Sequence, residues 1–274
     1  MATVKTITVR TSRLSMVAGM AIIATLLSTP ATAAERPNDR DVQKLLERIN
    51  NERDRFEDQL DGTLKRSTIR RANREINVEQ YLDDLQENVI RMKERFKPDY
   101  AANEEVNTVL LQGSDIQRFM ATQKPDLDGA SEWNRLSASL GELAGAYGAS
   151  FPMIEGQLAR RMNDREVKKA AEDVAESAER FRKELKNDTT LDEATRDAAV
   201  KQADDLKENA EKLASTIDDG RPASGEAQGL IQRASDLRGS SAGRTLAPAA
   251  QTAWNNVETA LNTVGHAFAL PTRR

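Results

Sequence analysis

Apolar residues recur along most of this chain at steps of three, four and seven, the spacing that lays one stripe down an α-helix. Val42, Leu45, Ile49 and Phe56 begin the series, and Val78, Tyr81, Leu82, Leu85, Val89, Met92 and Phe96 carry it to Pro98. Val106, Val109, Leu110, Ile116, Phe119 and Met120 follow, stopped by Lys124-Pro125, and a fourth stripe runs through Trp133, Leu136, Leu140, Leu143 and Tyr147. The pattern then starts again: Val167, Val174, Phe181, Leu185; Leu206, Leu213, Ile217; Leu230, Ile231, Leu237; Trp254, Val257, Leu261, Val264, Phe268. No segment keeps the β-branched alternation of a strand. Helix breakers fall between the stripes at Asp61-Gly62, Lys97-Pro98, 126–129, 188–190, 218–222 and 238–243. Thr190 with Glu193 three residues on fits a capping box opening the sixth helix. The basic run 63–76 (Lys65, Arg66, Arg70, Arg71, Arg74) reads as an extension of the second helix or a long connection with a solvated charged face.

A helix with one apolar stripe must bury it, and four helices of about 18–22 residues with short connections are most simply an antiparallel bundle. Sliding the chain against itself by 121 residues aligns Leu82-Asp83-Asp84-Leu85-Gln86-Glu87-Asn88 with Ala203-Asp204-Asp205-Leu206-Lys207-Glu208-Asn209, Gly113-Ser114-Asp115-Ile116 with Ala234-Ser235-Asp236-Leu237, and Trp133-Asn134 with Trp254-Asn255. Those are the chain's only two Trp residues. Upstream the shift is 125, bringing Arg55-Phe56 onto Arg180-Phe181 and Leu60 onto Leu185, so the first copy has about four extra residues in a connection, where insertions are tolerated. The fold expected is all-α, a tandem duplication of a four-helix-bundle-like unit spanning 39–152 and 160–271. One continuous elongated bundle is the alternative.

The N-terminus reads as an address. Lys5, Arg10 and Arg13 precede an apolar run from Leu14 to Leu27, and Pro30 and the small residues Ala31-Thr32-Ala33-Ala34 follow. Basic region, short apolar core, helix breaker and Ala-x-Ala site make residues 1–33 a secretory signal peptide, cut after Ala33 or, alternatively, Ala34. The apolar core is too short to span a bilayer, so no stable membrane insertion is expected once it is removed. The product is an exported, soluble chain of the bacterial periplasm or exterior. Losing the leader's three positive charges takes the net charge from −4 to −7. That acidic balance argues against nucleic acid as a partner, which needs a basic field.

Composition removes much of the remaining chemistry. With no Cys and one His there is no disulfide framework, thiolate-ligated metal, Cys nucleophile or multi-His site. The residue three before His266 is Thr263, which breaks the Glu-x-x-His pattern of a di-metal bundle, and the second copy has no Met beyond Met162 to partner His266 on a haem. No cofactor or metal is expected, and no phosphate loop or nucleophile motif appears. Two pairs of positions stand out. Asp84 with Asn88, and Asp205 with Asn209, lie one turn apart on a helix face and offer oxygens to a hard cation, although solvated helix polarity explains them as well. Trp133-Asn134 and Trp254-Asn255 offer a stacking face beside an amide, although their register with the apolar stripes suits capping of the core.

The function expected is a protein-interaction or scaffolding module with a protein partner, with no catalytic residue assigned. A periplasmic chaperone-like stress protein is the alternative, and a ligand-binding protein or carboxylate-based enzyme a more distant one. Intact-mass measurement of the exported protein should give a chain beginning at Ala34; a mass that retains residues 1–33 would overturn the signal-peptide reading.

Overall fold

The computed structural model describes residues 35–71, 74–123, 128–241 and 246–271, so the expected leader and its cleavage point lie outside the described residues. The chain is mostly helical, as the stripes require: α1 (Asp39–Gln59), α2 (Gly62–Lys65), α3 (Val78–Arg95), α4 (Asn103–Ala121), α5 (Ala130–Ala146), α6 (Asp164–Lys186), α7 (Glu193–Asp218), α8 (Ser224–Ser241) and α9 (Pro248–Ala267). Among the described residues the only strands are β1 (Thr68–Arg71) and β2 (Arg74–Asn77).

Side-chain caps fix several helix starts. Asn38 accepts from the Asp41 amide at α1, and Asn77 accepts from the Glu79 amide at α3. At α6 a full capping box joins Asn163 and Glu166, which satisfies two amides that the helix leaves without partners. The box expected at Thr190 and Glu193 is not the one the chain uses. Asp192 caps α7 by accepting from the Thr195 amide, while the Thr190 hydroxyl turns back to Asp188. Asp188 is nearly fully buried and also accepts from the amides of Thr190 and Ala247, tying the α6–α7 connection to the start of α9. Burial alone would raise its pKa; the hydrogen bonds from Thr190 and Ala247 outweigh that and hold it below the usual range.

The helices bury their stripes in two hydrophobic cores. In the first, α1 packs on α3 and α5, and α4 closes against α3 and α5; in the second, α6 packs on α7 and α9, and α8 closes against α7 and α9. Each core contains one tilted aromatic pair: Phe56 on Trp133, with centroids 5.3 Å apart, and Phe181 on Trp254, at 5.2 Å.

The basic run 63–76 departs from the expected helix or loop. It forms the short α2 and then an antiparallel hairpin, with Thr68 opposite Asn77, Ile69 opposite Ile76 and Arg70 opposite Glu75. Ile69 is buried and Ile76 packs beside it on the first core, while Arg70 and Glu75 pair on the exposed face at 2.6 Å. Four-residue strands carry too few residues for alternation to stand out from a helical reading. At the 121-residue shift the hairpin falls opposite the first turns of α7, which has 26 residues against 18 in α3. The break expected at 238–243 also begins late, because α8 continues to Ser241.

The joint between the two cores is a reciprocal exchange. Arg36-Pro37-Asn38-Asp39-Arg40 precedes and opens α1, and Arg161-Met162-Asn163-Asp164-Arg165 does the same for α6. Asp39 and Asp164 each accept the other's backbone amide, at 2.7 and 2.9 Å. Arg36 pairs with Asp164 at 2.6 Å, and Arg161 pairs with Asp39 at 2.7 Å. Each carboxylate thus fills an amide vacancy at the other helix's N-terminus, where the helix dipole favours negative charge. Burial and the neighbouring Arg161 guanidinium lower the Arg36 pKa, opposed by its bond to Asp164 and by the charges of Asp164 and Asp39. The Arg161 side chain is 1% exposed.

Removing one partner of so buried a pair strands the others. Arg161→Ala is expected to lower unfolding free energy by about 3–5 kcal/mol in urea denaturation. An unchanged midpoint would mean that the joint does not hold the cores together.

Candidate protein-docking groove

The first core is closed by a segment of its own chain. After α5, Gly148 takes the left-handed conformation (φ 64°) that ends a helix most easily at glycine, and the Ala149 amide caps the Ala144 carbonyl. The chain then runs back along α4 as a strap. The Met153 amide donates to Ser114 Oγ at 2.9 Å, Asn107 brackets the amide and carbonyl of Ala159 at 2.9 and 3.1 Å, and Asn103 does the same for Arg161 at 2.9 and 3.1 Å. Asn103, Asn107 and Ser114 share one helix face, so three short polar side chains act as rungs for an extended backbone. The Phe151 ring lies over Gly113, where a Cβ would sit 3.1 Å from Phe151 Cε2 and 2.7 Å from Leu140 Cδ1. Glycine at this position allows that approach.

Along α8 the positions displaced by 121 are Ser224, Gln228 and Ser235. Only the first is used as a rung: Ser224 Oγ accepts the Arg36 amide at 3.0 Å, beside Glu35, whose carboxylate accepts the Ala223 and Ser224 amides and caps α8. Gln228 and Ser235 instead line an open groove of about 600 Å³ between α8 and α9, with Ile231, Ala234, Trp254, Leu261 and Asn262. Among the described residues neither Gln228 nor Ser235 has a side-chain hydrogen-bond partner. Leu270 and Pro271 border the groove at one side, and an Arg238–Glu258 ion pair at 3.2 Å borders it too. The chain turns out of α9 at Ala269, whose φ of 51° matches that of Gly148 at the cost of left-handed strain.

Of the residues singled out in sequence, Trp254 alone borders this groove. Trp133 is buried on Phe56 and donates its indole N–H to Gln117 at 3.0 Å; Asn134 and Asn255 are exposed. Asn88 donates to the Asp84 carbonyl at 2.8 Å and to Gln112 at 3.0 Å, and its oxygen accepts from Arg91, while Asn209 donates to the Asp205 carbonyl at 2.6 Å. These amides serve their own helices and a neighbour rather than converging with Asp84 or Asp205 on a common point. No group of three or more Asp, Glu or His poised for a metal occurs among the described residues. Gln228, Ile231, Ser235 and Asn262 carried no motif; the signal for them was the self-alignment itself, which places Ser235 on Ser114 and Gln228 on Asn107.

A larger hollow of about 1380 Å³ lies at the joint, where the single His266 is exposed beside Arg36, Arg48, Glu142, Arg161 and Phe268. Its charges are largely committed to one another through Arg36–Asp164, Arg161–Asp39, Arg48–Glu142 and Lys44–Asp41, and the Arg36 guanidinium lies over the Phe268 ring. A shallower furrow between α6 and α7 is likewise crossed by ion pairs. There the hydrogen bond from Arg182, reinforced by the Arg182, Lys183 and Lys207 charges, holds the Glu179 carboxyl at about 2. The α8–α9 groove differs in holding two polar side chains, Gln228 and Ser235, that no hydrogen bond engages among the described residues. No described helix is long and apolar enough to cross a membrane. Comparison with known protein families, curated proteins and solved structures finds no match for this chain.

The two rungs should respond differently to mutation. Ser114→Ala strands the part-buried Met153 amide and is expected to cost about 1–2 kcal/mol of stability, whereas Ser235→Ala should stay within about 0.5 kcal/mol. Thermal or urea unfolding of both variants decides it; equal losses would mean that Ser235 is engaged within its own chain.

Proposed function

We propose that this is an exported protein-interaction module, built by tandem duplication of a four-helix unit over 39–152 and 160–271, and that its α8–α9 groove takes a protein partner. The observation that carries the reading is the contrast between the two grooves. Among the described residues one is covered by the chain's own strap on three polar rungs, while the other is about 600 Å³ of open surface, part apolar and part polar, with two rungs unused. Concave apolar surface with a few placed polar groups is where proteins bind ligands and partner segments.

The duplication draws support from pairs of equivalent contacts. Phe56 on Trp133 corresponds to Phe181 on Trp254, Arg161 to Asp39 corresponds to Arg36 to Asp164, and the Arg161 amide on Asn103 corresponds to the Arg36 amide on Ser224. Each relates positions 121 or 125 apart. Duplication frees one copy of a site to change while the other keeps the structural contact, and α8 differs from α4 in just that way.

A photo-crosslinking residue placed at Ile231 or Asn262 in the native cell should trap the same protein from both positions, with none from Asn134 on the exposed face of α5. An adduct pattern shared with Asn134, or no adduct at either groove position, removes the interaction reading.

A further inference from the structure

We propose that the partner binds as an extended peptide strap, laid along α8 in the way that residues 151–161 lie along α4, with its main chain held by Gln228 and Ser235. This rests on the interaction reading and adds the chemistry of the occupant. The template is internal: Ser114 and Asn107 hold the strap by backbone groups alone, at Met153 and Ala159, so their counterparts select an extended main chain rather than a particular side chain. A helical partner keeps its amides and carbonyls for itself and leaves such rungs unsatisfied.

The groove is also continuous with an interface already formed. At the α8 N-terminus the chain's own Glu35 and Arg36 occupy the last rung, Ser224, so an incoming strand extends a path that is already begun. The side chains it accepts differ from those of the first strap. Where Gly113 makes room for the Phe151 ring, α8 has Ala234, whose methyl fills that space, and Leu270 packs beside this core. The partner segment therefore presents small or aliphatic residues toward Ala234, Ile231 and Leu261. A second copy does not supply it from residues 151–161, because in each copy those residues are bound to α4.

The test uses the full chain, ¹⁵N-labelled, and a synthetic peptide of residues 150–161 carrying Phe151→Leu, with a scrambled peptide as control. The expected result is a saturable shift of the Trp254 indole resonance and of α8 amides, with the Trp133 indole unmoved. The Gln228→Ala/Ser235→Ala double variant should weaken binding about a hundredfold, since the three hydrogen bonds that Asn107 and Ser114 make in the template are lost, and Ile231→Glu should abolish it. Silence from the peptide while Ile231 still crosslinks a partner in cells overturns the strap and leaves the interaction reading standing. Silence together with no crosslink removes both. Peptide binding seen only when residues 1–33 are deleted assigns the groove to that segment and overturns a separate partner. A concentration-dependent dimer that shifts the same resonances assigns it to a second copy, with the same consequence.

Discussion

The structure turns on the exchange between Asp39 and Asp164. Two helices meet at their N-termini, an arrangement that points two positive dipole ends and several unpaired amides at each other. Left alone, that meeting is repulsive. Each helix answers by placing its first carboxylate on the amide of the other, and each preceding arginine then reaches across to the carboxylate so placed. Each carboxylate is thus held by an amide and a guanidinium from across the joint, which ties the start of α1 to the start of α6. The Arg161 guanidinium contributes by position as much as by charge: at 1% exposure it has no water to fall back on.

The joint also sets the course of the backbone that leads into it. For Arg161 to reach Asp39, the residues before it must cross to α4, and for Arg36 to reach Asp164, Glu35 must come to rest at α8. In the first case the approach is a long covalent connection from α5, and its whole length becomes the strap that closes the first core. In the second the described approach is only Glu35 and Arg36. One geometric requirement thus brings a long strap onto α4 and brings Glu35 and Arg36 onto the start of α8.

Much of this was legible in the sequence. The stripes located the long helices because burial of one face is what makes a charged helix of this length stable, and the shift of 121 paired Trp133 with Trp254 before their shared packing on Phe56 and Phe181 was known. Three features were not legible. The hairpin at 68–77 rests on one cross-strand pair, Ile69 with Ile76, too short a pattern to outweigh helical spacing on either side. The cap at Asp192 competes with a nearby Thr-x-x-Glu that reads equally well, and the choice depends on Asp188 claiming the Thr190 hydroxyl from within the core. The groove depends on rungs of three different residue types, Asn, Gln and Ser, whose shared role appears only once a backbone is seen lying across them. The five-residue similarity of 36–40 to 161–165 lay in plain view; what it lacked was any local reason for two buried arginines to precede a helix.

Ala269 shows what fixes the edge of the α8–α9 groove. At the matching exit from α5 the chain uses Gly148, for which a positive φ carries no steric penalty, whereas Ala269 adopts φ 51° against the clash of its own Cβ with the backbone. Such strain persists only where the surroundings impose it. Here the imposing contacts are the Leu270 amide on the Gly265 carbonyl and the packing of Leu270 on the second core, which send the chain toward the groove edge just as Ala149 is sent toward Ser114. The two exits take the same direction with different residues, glycine at one and alanine at the other. The strain is therefore offset by the core itself: relaxing the turn would release both the Leu270 amide and its side chain, so the exit from α9, and with it the groove edge, is fixed by packing beneath it.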